Sequence, residues 1–256
     1  MCRLLAYVGE PIFLETLLVK KETSLIAQSL AAREAKTIVN GDGCGLGWYS
    51  AHKTPGLYRS TLPAWSDANL LSLCQQIKAP LFIGHVRAAT SGEVSQSNCH
   101  PFAHENHLFA HNGQIGDYDT LRRKIDALIP DEVFGMRRGT GDSEALFLSA
   151  LGRGLEQDPI RAFEKTLADT MAIVCRAPDC QPVRFASVYA DGNCLWAFRW
   201  ASDDKAPSLY WRQLEGGIVI ASEPFDPGHP DWNVVPAQSA VHICQAGKVH
   251  ERAMTV

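Results

Sequence analysis

Residues 1–8 read Met-Cys-Arg-Leu-Leu-Ala-Tyr-Val, a thiol followed at once by an apolar, strand-like run. Because Cys2 is small, the sequence predicts that methionine aminopeptidase removes Met1 and leaves Cys2 with a free α-amine. One residue then carries a thiol and a base, with reference pKa values of about 8.5 and about 7.7–8.0, as in nucleophiles paired with an N-terminal amine. We expect a bridging water to carry the proton and Arg3 to favour the thiolate. Taken alone, Met-Cys is better explained as the buried start of a strand.

The next polar motif along the chain follows a second strand-like run. Residues 82–84, Phe-Ile-Gly, lead into residues 85–90, His-Val-Arg-Ala-Ala-Thr. An apolar strand that ends here places the Arg87 guanidinium and the Thr90 hydroxyl at a strand edge, where a pocket can form. Arginine is suited to bidentate capture of a carboxylate. In isolation, a surface arginine at a strand end is the simpler interpretation.

A third motif, His111-Asn112-Gly113, follows the apolar residues 108–110. Asn-Gly is first of all a turn signal between two strands. A turn would also present the Asn112 amide and the Gly113 backbone N–H in the same direction, as a developing oxyanion requires. Glycine allows close approach to the backbone.

A fourth motif, residues 139–144 with the sequence Gly-Thr-Gly-Asp-Ser-Glu, places Asp142 before a helical pattern. A carboxylate at this position is usually a helix cap. Together with Arg87, however, Asp142 supplies the opposite charges that the amino-acid end of glutamine requires, and either charge would be costly to bury unpaired. The glycine-rich residues 40–49 lack a P-loop Lys-Ser/Thr, and we interpret them as a tight turn entering a strand beside Cys2.

Composition excludes several classes of protein. The 256 residues are 46% hydrophobic and 20% charged with a formal net charge of −4, typical of a globular protein and without the basic footprint of a nucleic-acid partner. No signal peptide or membrane-spanning stretch is recognisable, so a cytoplasmic location and a small-molecule substrate are expected. We interpret most of the eight cysteines as small buried hydrophobes rather than a disulfide framework.

No repeat or linker divides the sequence, so residues 1–256 are predicted to form a single domain. Short apolar runs and longer segments of helical spacing alternate, which indicates a layered α+β architecture. Strands are predicted at Arg3–Val8, Gly45–Tyr49, Leu81–Val86, His107–Ala110, Met171–Cys175, Leu195–Trp200, Gly217–Ala221 and Val241–Cys244. Helices are predicted at Leu25–Ala35, Ala68–Ile77, Tyr118–Leu128, Asp142–Leu155 and Ile160–Leu167.

A zinc site is an alternative use of four histidines. His100, His104, His107 and His111 have the spacing that lines one face of a helix. Pro101 and the Asn-Gly pair argue against a continuous helix, and a loop followed by a strand, which would split these residues between faces, is expected instead. We therefore predict neither a metal nor a cofactor.

Taken together, these motifs resemble those of class II glutamine amidotransferases over roughly residues 2–155. The motifs that carry the resemblance are Cys2, residues 85–90, Asn98-Cys99-His100-Pro101, His111-Asn112-Gly113 and Gly141-Asp142-Ser143-Glu144. The resemblance implies an N-terminal-nucleophile hydrolase fold, a four-layer αββα sandwich with two stacked antiparallel sheets. It implies a catalytic Cys2 whose α-amine is the base, with Asn112 and the Gly113 N–H as oxyanion hole. Arg87, with Thr90 nearby, would hold the substrate carboxylate and Asp142 the substrate ammonium.

The whole chain is similar to a smaller, stand-alone branch, the γ-glutamyl hydrolases of ergothioneine biosynthesis and glutathione breakdown. The motifs shared with that branch are Gln28-Ser29, the glycine-rich segment, Leu62-Pro63-x-Trp65 and Ala221-Ser222-Glu223-Pro224. Departures from synthase-linked enzymes, such as Ala88 in place of an aromatic residue, suggest a different far side of the pocket. The alternative functions left open are a glutaminase that delivers ammonia to a separate partner subunit, a non-catalytic regulatory homologue, and a hydrolase of bile salts or penicillins. As to assembly, a separate partner subunit or a homodimer is possible.

Overall fold

Two antiparallel sheets contain the strands in the part of the chain that the computed structural model describes, residues 2–34, 37–89, 92–177, 180–244 and 247–256. The strands are β1 Arg3–Phe13, β2 Cys44–Tyr49, β3 Gly56–Ser60, β4 Lys78–Val86, β5 Phe102–His104, β6 His107–Gln114, β7 Arg184–Ala190, β8 Cys194–Ala201, β9 Tyr210–Leu214, β10 Gly217–Ala221, β11 Asn233–Val234, β12 Ser239–Cys244 and β13 Val249–Ala253. The helices are α1 Glu15–Leu18, α2 Leu25–Leu30, α3 Ala68–Gln76, α4 Tyr118–Asp126, α5 Asp131–Phe134, α6 Asp142–Leu151 and α7 Pro159–Val174.

The N-terminal strand is central to the first sheet, whose order is β11-β9-β10-β1-β4-β2-β3. β1 pairs with β10 on one side and with β4 on the other, and Arg3 lies opposite Val86 at the end of β4. This register brings Cys2, the residue before β1, beside the segment that follows β4. The glycine-rich segment enters β2, which is separated from β1 by β4, so it is one strand further from Cys2 than the sequence indicated.

The second sheet has the order β13-β12-β8-β7-β6-β5. Asn112 and Gly113 lie within β6, opposite Ala186 and Phe185 of β7. The predicted Asn-Gly turn is therefore wrong, because the strand continues through both residues. An added Cβ at Gly113 would collide with the Arg184 carbonyl oxygen and the His111 ring, so glycine here is required by close approach.

Three apolar clusters separate four layers, which confirms the predicted αββα sandwich. The first fills the space between the two sheets and includes Leu4, Ile83 and Ala110. The second lies between the first sheet and helices α1 to α3, and the third between the second sheet and helices α4, α6 and α7. Burial on both faces explains why strands such as β7 are apolar or small at nearly every position.

Helix α7 corrects one element of the sequence prediction. Asp158 caps its first turn by accepting the Arg161 N–H, and Pro159 occupies the first turn, where no N–H is needed. The helix continues to Val174, so the predicted strand at Met171–Cys175 is wrong, since its apolar residues lie on the helical face packed against the second sheet. The predicted helix at Leu25–Ala35 ends earlier, at Leu30.

The cysteines fall into distinct groups. Three of the eight, Cys44, Cys74 and Cys99, are buried and free, so the prediction made for most of the cysteines holds only for these; Cys175 and Cys180 are exposed. A disulfide joins Cys194 to Cys244, which the sequence did not predict. No helix in the described part of the chain combines the length and the apolar character needed to cross a bilayer.

Candidate active site

One cavity lies where the N-terminal end of β1, the end of β6 and the start of α6 meet. Its lining residues are Cys2, Arg87, Ala88, Ala89, Asn98, His100, Phe102, His111, Gly113, Gly141, Asp142 and Ser143. Sequence motifs separated by up to 140 positions therefore converge on one small, polar pocket.

The Cys2 thiol is half-buried at the edge of this cavity. Its Sγ lies 3.5 Å from the Ala88 carbonyl oxygen and 3.4 Å from the Ala88 N–H. Burial raises the pKa of the Cys2 thiol, against opposing effects of the Ala88 N–H, Arg87 and Arg3. The positive potential of Arg3 is therefore outweighed by desolvation, and the thiol needs a nearby base to ionise.

Arg3 has a structural use in addition to its charge. Its side chain is fully buried, donates to the carbonyls of Cys2, Ser222 and Glu34, and lies 3.6 Å from the Glu223 carboxylate. The Cys2 carbonyl is held by the Arg3 Nε at 2.8 Å. These contacts fix the backbone from which the thiol projects.

Arg87 follows β4 and is 4% exposed. Its Nη1 donates to the Glu93 carbonyl at 3.2 Å. Its backbone is clamped to the glycine-rich segment, because the Arg87 N–H donates to the Gly43 carbonyl and its own carbonyl accepts the Asp42 N–H. Gly43 has a φ of +120° and touches Cys99 and Ser60 so closely that a Cβ would clash.

The Asn112 side chain is fully buried, and neither its Oδ1 nor its Nδ2 has a hydrogen-bond partner among the described residues. A buried amide without a partner costs about 1–3 kcal/mol. Asn112 does not itself line the cavity, whereas the adjacent Gly113 does. A buried amide donor without a partner among the described residues, next to a glycine that lines the cavity, is suited to hydrogen-bond an anion.

Asp142 is the first residue of α6 and is 6% exposed. It makes no side-chain cap, so the capping interpretation is wrong: the carboxylate instead accepts the Ile115 N–H at 2.8 Å. The Ser143 hydroxyl lies between Asp142 Oδ1, at 3.1 Å, and His111 Nδ1, at 2.9 Å. Burial lowers the pKa of His111, and its Nε2 faces the Arg184 carbonyl at 3.2 Å. The Ser143 hydroxyl donates to Asp142 Oδ1, and because a carboxylate oxygen has two lone pairs, Oδ1 can accept a second hydrogen bond from a ligand.

Asn98 connects the two charged sides of the cavity. Its Oδ1 accepts the N–H groups of Thr140 and Gly141, and its Nδ2 donates to the Glu93 carbonyl. That same Glu93 carbonyl accepts from Arg87. The buried Asn98 amide thus sets the distance between the Arg87 guanidinium and the backbone of Thr140 and Gly141, which precedes Asp142.

Behind the Asp142 segment, a buried ion pair braces the loop. Arg137 Nη1 donates to Glu144 Oε2 at 2.8 Å, and its Nη2 donates to the Gly141 carbonyl at 2.7 Å. Glu144 also accepts the Gly139 N–H at 2.7 Å. Because the loop backbone is held from both sides, the Asp142 carboxylate has a defined position.

His85 packs against His100, which lines the cavity, with ring centroids 4.2 Å apart and the ring planes tilted by 31°. Burial lowers the pKa of His85 to about 3, and lowers that of His100 well below its ordinary value. The two ring nitrogens of His100 have no hydrogen-bond partner among the described residues. Both rings are therefore neutral at working pH.

This pair predicts an acid-sensitive fold. In the unfolded chain His85 binds a proton below about pH 6.5, but in the folded chain only near pH 3. Between these values the unfolded state holds one more proton, so the free energy of unfolding falls as pH falls, by up to about 1.4 kcal/mol per pH unit. His85→Leu should reduce the slope of the unfolding free energy against pH by up to about 1.4 kcal/mol per pH unit in urea unfolding between pH 6 and 4, while His100 continues to contribute. Phe82→Leu is the matched buried control, expected to lower stability without changing the slope; an unchanged slope in His85→Leu would contradict the assignment.

The four histidines of the alternative zinc site do not form one cluster of ligands, although His104 lies opposite His107 across β5 and β6. A loop followed by strands holds them, as predicted, but His107 and His111 share one face of β6 rather than being split. Four residues of strand place them roughly 13 Å apart, too far to share an ion. His107 instead bonds Tyr189 and Glu156.

The structure brings Cys2, Arg87, Gly113 and Asp142 into one cavity, and Asn112 is adjacent in sequence to Gly113 but does not line it. Thr90 lies outside the described residues. Sequence reasoning missed Ser143 and His111 as partners of Asp142, Asn98 as the connecting amide, and the buried pair of His85 and His100. Asn98, His100 and His111 stood within the quoted motifs, which was the available signal.

Comparisons with known proteins agree with this architecture. A family model described as class II glutamine amidotransferases matches residues 1–212. The chain is 30% identical over 292 aligned residues to the probable glutamine amidotransferase DUG3 of Saccharomyces cerevisiae, which covers 95% of this chain and 82% of that protein. It is 28% identical over 248 residues to the γ-glutamyl-hercynylcysteine sulfoxide hydrolase of Mycolicibacterium smegmatis, covering 96% and 97% of the two chains.

Solved structures show the same fold. A class II glutamine aminotransferase domain protein from Silicibacter pomeroyi matches with a TM-score of 0.78 and 32% identity over the whole of both chains. The glutamine phosphoribosylpyrophosphate amidotransferase of B. subtilis, at 15% identity, shares the fold over half of its own length with a TM-score of 0.69. With the family match spanning residues 1–212, the chain belongs to the class II glutamine amidotransferase family.

Proposed function

We propose that this protein is an N-terminal-nucleophile cysteine amidohydrolase that cleaves the γ-amide bond of glutamine or of a γ-glutamyl compound through a Cys2 thioester. The observation that carries the proposal is the convergence of Cys2, Arg87, Gly113 and Asp142 on one cavity. That cavity combines a nucleophile, an anion-binding backbone position and two opposite charges.

Substrate recognition rests on those opposite charges. The buried Arg87 guanidinium binds the α-carboxylate of the γ-glutamyl group, with Thr90 assigned beside it. The Asp142 carboxylate, whose Oδ1 accepts the Ser143 hydroxyl and has a second lone pair for a ligand, binds the α-ammonium. Burial makes this recognition selective, because charge-assisted hydrogen bonds to the substrate are stronger where water is excluded, and a substrate that lacks one charge loses one set of them.

The chemistry is an acyl transfer in two steps. After Met1 is removed, the Cys2 α-amine takes the thiol proton through a water, and the thiolate attacks the γ-carbonyl carbon. The oxyanion accepts hydrogen bonds from the Asn112 amide and the Gly113 N–H, and losing one such donor typically costs about 10²–10³ in rate. The protonated α-amine then gives its proton to the departing amine. Water, deprotonated by the same amine, hydrolyses the γ-glutamyl thioester to glutamate and free thiol.

The leaving group distinguishes the remaining alternatives. One relative is a γ-glutamyl-hercynylcysteine sulfoxide hydrolase, and another is a probable glutamine amidotransferase. If ammonia is the leaving group, we predict a separate synthase that receives it. A homodimer also remains a prediction. A cytoplasmic location likewise remains a prediction.

A panel of matched substrates tests the proposal. Glutamate release is measured by coupled assay from glutamine, γ-glutamylcysteine and glutathione; at least one should turn over. For the best amide, analogues lacking the α-ammonium or the α-carboxylate should lose at least about 30-fold in kcat/KM, the equivalent of about 2 kcal/mol.

Asp142→Asn provides the matched control for the ammonium contact. It should lower kcat/KM for the complete substrate by a similar factor but leave that for the analogue without an ammonium nearly unchanged. Hydrolysis of penicillins or bile salts without glutamate release from any γ-glutamyl compound would refute the proposal. An equal loss on both substrates would refute the role of Asp142.

A further inference from the structure

The far end of the second sheet carries a cluster that the active site does not use. Cys194 of β8 and Cys244 of β12 lie directly opposite each other and are joined by the disulfide. This is the end of the sheet at which β6 begins with His107, whereas Asn112 and Gly113 lie toward its other end. The cluster is therefore separate from the chemistry described above.

An imidazole completes the cluster. His242 lies two residues before Cys244 on β12, so the two side chains project from the same face. His242 Nε2 is 3.1 Å from Cys244 Sγ. The two sulfur atoms and a ring nitrogen of His242 all lie within 4.8 Å of one another, and all three residues are partly exposed. Three ligating atoms thus converge where solvent can reach them.

Neighbouring groups hold these ligands in place. Trp196, opposite His242 on β8, stacks on the imidazole with ring centroids 4.6 Å apart and an interplanar angle of 8°. The Asp191 carboxylate accepts the N–H groups of Asn193 and Cys194, each at 2.8 Å, and fixes the turn before β8. Ligand orientation by such surrounding contacts favours metal affinity.

We propose that Cys194, His242 and Cys244 are the ligands of a redox-gated site for a thiophilic divalent metal ion, zinc. A thiol reductant donates two electrons and two protons to the disulfide, giving two thiols, and is itself oxidised to a disulfide. Zinc then displaces the two thiol protons and binds two thiolates and the neutral His242 imidazole. A water fills the fourth position. Oxidation of the thiols removes both sulfur ligands, so the disulfide form does not hold the metal.

The geometry supports this set of ligands. Tetrahedral zinc with Zn–S bonds of about 2.3 Å and a Zn–N bond of about 2.0 Å requires a sulfur–sulfur separation of roughly 3.8 Å and a sulfur–nitrogen separation of roughly 3.5 Å. The observed distance from Cys244 Sγ to His242 Nε2 is 3.1 Å. The two sulfur atoms must separate once their bond is reduced, and both side chains are partly exposed, so they have room to move.

The test compares reduced and oxidised protein. A Cys2→Ala background prevents the active-site thiol from contributing. The chain is reduced with dithiothreitol, freed of it by anaerobic gel filtration, and titrated with Zn²⁺ against a competing chromophoric chelator; Co²⁺ gives a second readout through thiolate charge-transfer absorption. Reduced protein should bind one equivalent at this site, and oxidised protein should lack it.

Variants separate this site from other thiols. Cys194→Ser and His242→Ala should each lower zinc affinity by more than about a hundredfold, since even an outer contact is worth about 10–100-fold. Cys175→Ser/Cys180→Ser is the matched control, because it removes another exposed pair whose sulfur atoms are 3.8 Å apart. This double variant should still bind one equivalent of zinc when reduced. Equal binding by oxidised protein, full affinity in His242→Ala, or loss of the metal in the control would overturn the proposal.

Discussion

Replacing Cys2 with alanine is expected to abolish glutamate release, lowering kcat by at least about four orders of magnitude. The Cys2 sulfur is the attacking atom in the proposed thioester route, and removal of a nucleophile from such a unit typically costs that much or more. The pocket that binds the γ-glutamyl group is built by other residues. Substrate affinity should therefore persist in Cys2→Ala, and calorimetric titration with the best amide should give a dissociation constant within about tenfold of the wild-type KM.

Controls distinguish loss of the nucleophile from loss of the fold. The Cys2 side chain is only half-buried and its Sγ contacts are limited to the Ala88 backbone, so the alanine variant should unfold at nearly the wild-type temperature. Cys175→Ala, at an exposed free thiol, should retain full activity. A Cys2→Ala protein that releases glutamate at the wild-type rate would end the thioester mechanism.

The layered fold could be predicted because the apolar periodicities of its strands and helices are local features of the sequence. Strand and helix periodicities located most elements, and β10 was placed at its observed bounds, Gly217–Ala221. The Asn112-Gly113 prediction failed for a non-local reason. The dipeptide favours a turn when considered by itself, but pairing with β7 and contact with the Arg184 carbonyl keep it extended.

Contacts between distant segments account for the remaining misses. Ser143 was quoted as part of a motif, but its position between Asp142 and His111 depends on the packing of α6 against β6. The Cys194–Cys244 pair depends on the register of β8 with β12, which no spacing of eight cysteines specifies. Met171–Cys175 was assigned to a strand because a short apolar run carries no distinguishing period.

Blocking the Cys2 α-amine is expected to have the second large effect on activity, because this amine is the proposed base. A chain expressed behind a cleavable ubiquitin-like tag, with Cys2 directly after the cleavage point, should be nearly inactive until the tag is removed. In the fused chain the Cys2 nitrogen is an amide, and an amide cannot accept the thiol proton. Burial already raises the pKa of the Cys2 thiol, so the thiolate then forms rarely. General-base catalysis typically contributes about 10²–10⁴ in rate, and a loss of at least about a hundredfold is expected.

Cleavage with the tag-specific protease should restore activity in the same sample, in proportion to the fraction of processed chain measured by intact mass. The same cleavage of a fused Cys2→Ala chain is the matched control and should yield no activity. Because the uncut tag can also obstruct the cavity, a processed chain whose α-amine has been selectively acetylated provides a second comparison with minimal added bulk. It should be as inactive as the fusion. Undiminished turnover by the acetylated chain would show that the base lies elsewhere, since the thiol and the rest of the pocket are unchanged.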